Sequence, residues 1–140
     1  MKENNVIKAK TSTIYYSTSG MPIEKHEYIN ANEYITTTYS YYSTPYAVRI
    51  GLLKQISVEG AITEFNYDFM GRITSVTEPN EAQTFTAYDL KGRVTQITNP
   101  DDTIKTNVYN TIANTITSAD ENGVATVYTY NALGKLLTAR

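Results

Sequence analysis

Tyrosine returns every 21 residues, at Tyr67, Tyr88, Tyr109 and Tyr130, and a motif returns with it. The four copies read YDFMGRITSV, YDLKGRVTQI, YNTIANTITS and YNALGKLLTA. Glycine stands four residues after tyrosine in three of them, at Gly71, Gly92 and Gly134, and Pro79 and Pro100 keep the same interval. Thr63, Thr84 and Thr126 each precede a repeat tyrosine by four. A fixed period of this size means one supersecondary unit laid down again and again, each unit burying its neighbour's face. No residue of such an array is a singular catalytic centre, because the best-marked residues recur in every unit.

Residue types point to strand. The chain has 13 Tyr and 22 Thr, and β-branched and aromatic side chains suit a pleated, half-buried surface. Twenty-one residues hold two short strands and two turns, here a first strand over Arg72 to Thr77 and a second over Gln83 to Tyr88. Glu78-Pro79-Asn80-Glu81 is the turn between them, with proline fixing one φ and Asn80 suited to a left-handed one. Asn99 to Asp102 repeats it, and Asp120 to Gly123 does so without proline. The only candidate for helix is a single turn over Ile29 to Tyr34.

The motif itself reads as the other turn. Asp68 and Asp89, or Asn110 and Asn131, can accept a backbone N–H two residues on. Gly71, Gly92 and Gly134 supply a positive φ. Arg72, Arg93 and Lys135 follow, and the aspartates are turn-formers paired to arginine of a neighbouring repeat rather than catalytic acids. Strand alternation puts Thr126, Tyr128 and Tyr130 on one face, so the repeat tyrosines form a ladder. Two uses fit it: half-buried rings packed on one another with their hydroxyls satisfied, or exposed platforms for sugars. In the third copy Asn110, Ala113 and Asn114 replace the signature together. Ala113 then falls where glycine stands, unless Asn114 takes the positive φ instead.

Upstream the period loosens. Gly51 to Ile56 aligns with Gly71 to Val76, with a turn at Glu59-Gly60 and a strand over Thr63 to Tyr67. Tyr41 opens that unit across an enlarged loop from Tyr42 to Ile50, with Tyr46 the alternative. Tyr16 and Gly20 open a still earlier one. The array is therefore a single domain over 1–140, degenerate over 11–66 and regular over 67–140.

Several classes of chemistry are excluded. Net charge is −2 with 19% charged residues, so there is no basic footprint for nucleic acid. Cysteine is absent and His26 is the sole histidine, which removes disulfides, thiolate sites and two-histidine metal centres. His26 lies in a charged, solvated segment. No cofactor motif is present, and the acidic pairs Asp101-Asp102 and Asp120-Glu121 occupy turns. No apolar run approaches the ~20 residues of a membrane span, and MKENNVIKAK lacks the apolar core of a signal peptide.

With those residues in hand, the chain resembles the YD-repeat, or RHS-repeat, family, over at least Gly51 to Arg140. The resemblance implies an all-β fold of tandem antiparallel hairpins in a curved, spiralling sheet. At this strand number, a barrel-like coil is also expected. It implies a non-enzymatic scaffold, secreted or at the cell surface as part of a larger protein. Such a scaffold is a slice of the shell that in large relatives encloses a toxic domain. The alternative it implies is a carbohydrate- or partner-binding module using the tyrosine ladder. Six hairpins are too few to enclose anything, so the chain reads as a truncated or excised array. Its unpaired strand edges favour self-association.

Overall fold

The computed structural model describes residues 10–43 and 50–140. Tyr46 lies outside them. The described residues form twelve β-strands and no helix. The chain divides into two units, Met1–Arg72 with Glu78–Asn80 and Ile73–Thr77 with Glu81–Arg140. The first holds β1 (Lys10–Tyr15), β2 (Pro22–Tyr28), β3 (Tyr34–Tyr41), β4 (Leu53–Val58) and β5 (Ala61–Tyr67). The second holds β6 (Ile73–Thr77), β7 (Gln83–Tyr88), β8 (Val94–Thr98), β9 (Ile104–Asn110), β10 (Thr115–Ala119), β11 (Ala125–Tyr130) and β12 (Leu136–Ala139).

Within each unit every strand pairs antiparallel with its neighbours in the chain. The tandem hairpins are as the period predicts. The expected coil is not: each unit is an open row whose first and last strands do not meet. Closing a sheet needs inward side chains that fill the interior, and these strands have few to offer. Among the described residues only Tyr67 and Thr37 are buried, each 8% exposed. The remaining stabilisation comes from half-buried cross-strand pairs and from the turns.

The turns set the register. At Asp89 the N–H donates to the Arg93 carbonyl (2.9 Å) and the Gly92 N–H to the Asp89 carbonyl (3.0 Å). Gly92 has φ +82°. This is a three-residue hairpin loop, a type I turn closed by a left-handed residue. Asn99 and Asp120 begin loops with the same bonds at the opposite strand ends. There the left-handed residues are Asp102 (φ +62°) and Gly123 (φ +76°), and the Pro79 turn puts Glu81 at φ +65°. The sequence reading assigned that role to Asn80; the loop type moves it one residue on. Glu59 and Gly60 both have positive φ between the paired Val58 and Ala61, a two-residue type I′ turn.

Ile29 to Tyr34 is not a helical turn. Asn30 caps a short loop with its carbonyl, accepting from Asn32 N–H (2.9 Å) and Glu33 N–H (3.0 Å), and Tyr34 already pairs with Tyr28.

Candidate functional site

The signature aspartate is consumed by its own turn. Asp89 Oδ1 accepts the N–H groups of Lys91 and Arg93, both at 2.9 Å. Its Oδ2 accepts Arg93 Nε at 2.7 Å and lies 2.7 Å from a terminal guanidinium nitrogen. Asp68 holds Met70 N–H (2.8 Å), Arg72 N–H (3.0 Å) and the Arg72 side chain (2.6 Å) in the same way. The arginine thus comes from the same turn, not from a neighbouring repeat. The backbone N–H of Arg93, then its guanidinium, hold the Asp89 carboxyl below the usual carboxylate range. At Asp68 partial burial works upward, and the bonds from Arg72 and Met70 outweigh it. Asn131 keeps the turn without the ion pair, its Oδ1 accepting from Leu133 and Lys135 N–H at 2.9 Å each.

The tyrosine hydroxyls are consumed too. Tyr88 donates to the Ile73 carbonyl at 2.8 Å and Tyr109 to that of Val94 at 2.9 Å. Tyr67 reaches the Leu53 carbonyl at 2.8 Å and Tyr41 that of Pro22 at 2.9 Å. In each case a tyrosine at the end of a hairpin clamps that hairpin's first residue, and that first residue can itself face the preceding tyrosine. Val94 pairs with Tyr88, Leu53 with Tyr41 and Pro22 with Tyr15. The ladder therefore runs through hydroxyl–carbonyl bonds. Desolvation raises the Tyr41 and Tyr67 phenols above their ordinary range.

A family model, the RHS Repeat, matches residues 71–104. The chain carries an RHS repeat. No curated protein matches the chain. The matched stretch runs from Gly71 to Ile104 and contains the complete Asp89–Arg93 turn.

Around the RHS repeat, each tyrosine ring is covered differently. The Arg93 guanidinium lies over the Tyr109 ring, 4.0 Å from its centre. Upstream, Tyr16 and Tyr42 stand where the motif has aspartate: their N–H groups donate to Met21 and Leu52 carbonyls (2.8 and 3.0 Å). They pack edge-on against the next clamp tyrosine, Tyr16 on Tyr41 (6.4 Å, 68°) and Tyr42 on Tyr67 (6.1 Å, 83°). Tyr41 pairs with Leu53 at the start of the next hairpin. The earliest unit opens at Tyr15 rather than Tyr16, since Tyr15 makes the pairing. Pattern matching could have found this from the Tyr-Tyr dipeptide shared by positions 15–16 and 41–42.

The third turn departs from the RHS repeat in its backbone. Asn110 still caps it, accepting from Ile112 N–H (3.1 Å) and Ala113 N–H (3.0 Å). The positive φ falls on Asn114 (+51°), so Ala113 does not stand in for glycine. Asn110 pairs directly with Thr115 and Tyr109 with Ile116, giving a four-residue loop. Asn114 stands where the Asp68 and Asp89 turns have arginine, and the Tyr130 hydroxyl has no hydrogen bond among the described residues. A cleft of about 310 Å³ opens there, lined by Tyr109, Tyr130, Asn110, Asn114, Asn131 and neighbours.

Elsewhere, His26 is a strand residue, one of the two placements its segment allowed, but it is half-buried rather than solvated. It lies on β2, hydrogen-bonded to Glu24 and set against the rings of Tyr34 (4.3 Å) and Tyr28 (6.3 Å). Among the described residues no three His, Cys, Asp or Glu cluster as metal ligands. Among the described residues no helix is long and apolar enough to cross a membrane.

Proposed function

We propose that the chain is a non-enzymatic scaffold: a strip of β-hairpins from an exported or cell-surface RHS-repeat protein, of the kind whose shells enclose a toxic domain. One observation carries this. The residues that bear chemistry in the motif spend it on backbone: four tyrosine hydroxyls on carbonyls, and each signature aspartate on its own turn and arginine. A group so committed is positioned to hold a fold. Deleting a clamp hydroxyl, as in Tyr88→Phe or Tyr109→Phe, then lowers unfolding free energy by about 1 kcal/mol each, read by urea titration. Unchanged stability in both variants would remove the structural role.

A second reading has its own observation, the uncovered Tyr130. Its ring, the side chains of Asn110, Asn114 and Asn131, and the 310 Å³ cleft suit a sugar ring, which favours an aromatic face and amide hydrogen bonds. A glycan array probed with the chain and with Tyr130→Ala decides it. Retention of a glycan by the first and not the second establishes binding; an empty array leaves the scaffold alone.

A further inference from the structure

Each signature turn carries a large apolar residue at its tip, and none is covered. In the second unit these are Leu90 (96% exposed), Ile112 (96%) and Leu133 (93%). Single exposed apolar residues are ordinary, but turn centres favour Gly, Asn, Asp and Ser, and here three successive turns break that preference. They join β7 to β8, β9 to β10 and β11 to β12. In an antiparallel row alternate turns lie at opposite strand ends, so the three tips share one end.

The opposite end is of contrary character. Its turns, 99–103 and 120–124, contain Asp101, Asp102, Asp120 and Glu121 and no cation. The turns of the apolar end, 89–93, 110–114 and 131–135, contain Lys91, Arg93 and Lys135 against Asp89 alone. Beside the acidic turns stand Ile104 and Val124, both exposed, so apolar surface is on offer there as well. Glu121 pairs with Lys105 at 3.2 Å, and among the described residues Asp102 has no cation.

We propose that a second copy of this chain docks head to tail, its acidic turns against the apolar, basic turns of the first. Two observations select this occupant. Both ends repeat every second strand, about 9.5 Å apart, and a strip of the same period is commensurate with the row along its whole length. The charges then oppose correctly, whereas a two-fold contact of apolar end on apolar end sets lysine against lysine. A head-to-tail contact is heterologous and continues into chains of copies. The inference rests on the scaffold reading, yet its test is separate, since clamp variants report stability within a strip and tip variants report contact between strips.

Leu90→Asp with Leu133→Asp blocks one end, and Asp102→Lys with Glu121→Lys blocks the other. Sedimentation velocity of the full chain should show a concentration-dependent series of oligomers. Each double variant alone should run as a monomer, its association weakened at least tenfold. An equimolar mixture of the two should give a dimer and nothing larger, because each copy keeps one intact end. Ile112→Asp, at the third tip, reads the same contact should the first double variant lose its strands by circular dichroism. A monomeric parent overturns the proposal. So does a mixture that stays monomeric, or blocked variants that assemble like the parent, as strand-edge pairing at β1 or β12 would allow.

Discussion

Tyr41 and Tyr109 do the same work in two regions and are covered by different chemistry. Upstream, the residue after Tyr15 and after Tyr41 is another tyrosine, and Tyr16 packs edge-on against Tyr41. Downstream that position is aspartate, which orients Arg93 so that its guanidinium lies on Tyr109. One solution is aromatic on aromatic and the other cation on aromatic, each a contact of roughly 0.5–1.5 kcal/mol. The backbone bonds of the turns are common to both. Both regions thus lay a flat, weakly hydrated group over a clamp ring, and the residue that supplies it differs. The third turn supplies neither: without arginine or a second tyrosine, Tyr130 faces a cleft.

The comparison can be broken most forcefully at Tyr67, which is buried, bonded to Leu53 and packed by Tyr42. Tyr67→Ala should cost about 3 kcal/mol. Tyr109→Ala, at a half-buried ring, should cost about half of that. Equal losses in urea titration would mean that the two kinds of cover leave the rings equally well packed. Next comes the turn itself. Gly92→Ala forces a Cβ into φ +82° and should cost about 1–2 kcal/mol. Ala113→Gly should give no gain, because Asn114 carries the positive φ there. Stabilisation by Ala113→Gly would return glycine's role to that position.

Smaller effects sharpen the picture. Asp102 holds φ +62° in a loop of the same type as the one glycine closes at Gly92, so Asp102→Gly should raise stability by up to about 1 kcal/mol. Acid separates the two covers more finely. The Asp89 carboxyl is held low by Arg93, so its contribution is present above the unfolded-state carboxylate range and is lost as pH falls through its lower folded value. Protection of the Gly92 amide, taken relative to its intrinsic exchange rate, should fall in that window, while that of Gly20 and Gly51, in turns headed by tyrosine, should not respond. A parallel loss of protection at all three would show that the ion pair is not what distinguishes the regions.

Much of this was legible from the period. The strand over Gln83 to Tyr88 and the Glu59-Gly60 turn stand where the sequence puts them, and Asp89 makes its turn as the Y-D-x-x-G-R spacing implies. What the period could not specify was loop type. The sign of φ at Glu81, Asp102 and Asn114 follows from how many residues the loop leaves unpaired, and 21 residues accommodate several choices. Nor could it specify direction. The period leaves Arg93 free to pair with its own aspartate or with one in a neighbouring repeat, and only geometry shows that it turns back on its own. The apolar tips were in plain view as Leu90, Ile112 and Leu133, but composition alone does not say which side chain a turn pushes into solvent.

The pairing registers have one more consequence. In the regular turns the strand after the loop carries one extra residue, so Ala87 faces Gln96 and Tyr88 faces Val94; Thr129 faces Thr138 in the same way. The third turn has a different loop and no extra residue, yet Val108 faces Thr117 at the equivalent step. Even the enlarged loop after Tyr41 delivers Ser40 to Gln55 with the same shift. Phase is restored within one strand of each turn, whatever happened inside it. Errors do not accumulate along such a chain, as they would in a ladder whose rungs were counted from one end. A lineage can lengthen, shorten or rewrite any single turn and leave the next tyrosine facing the same way.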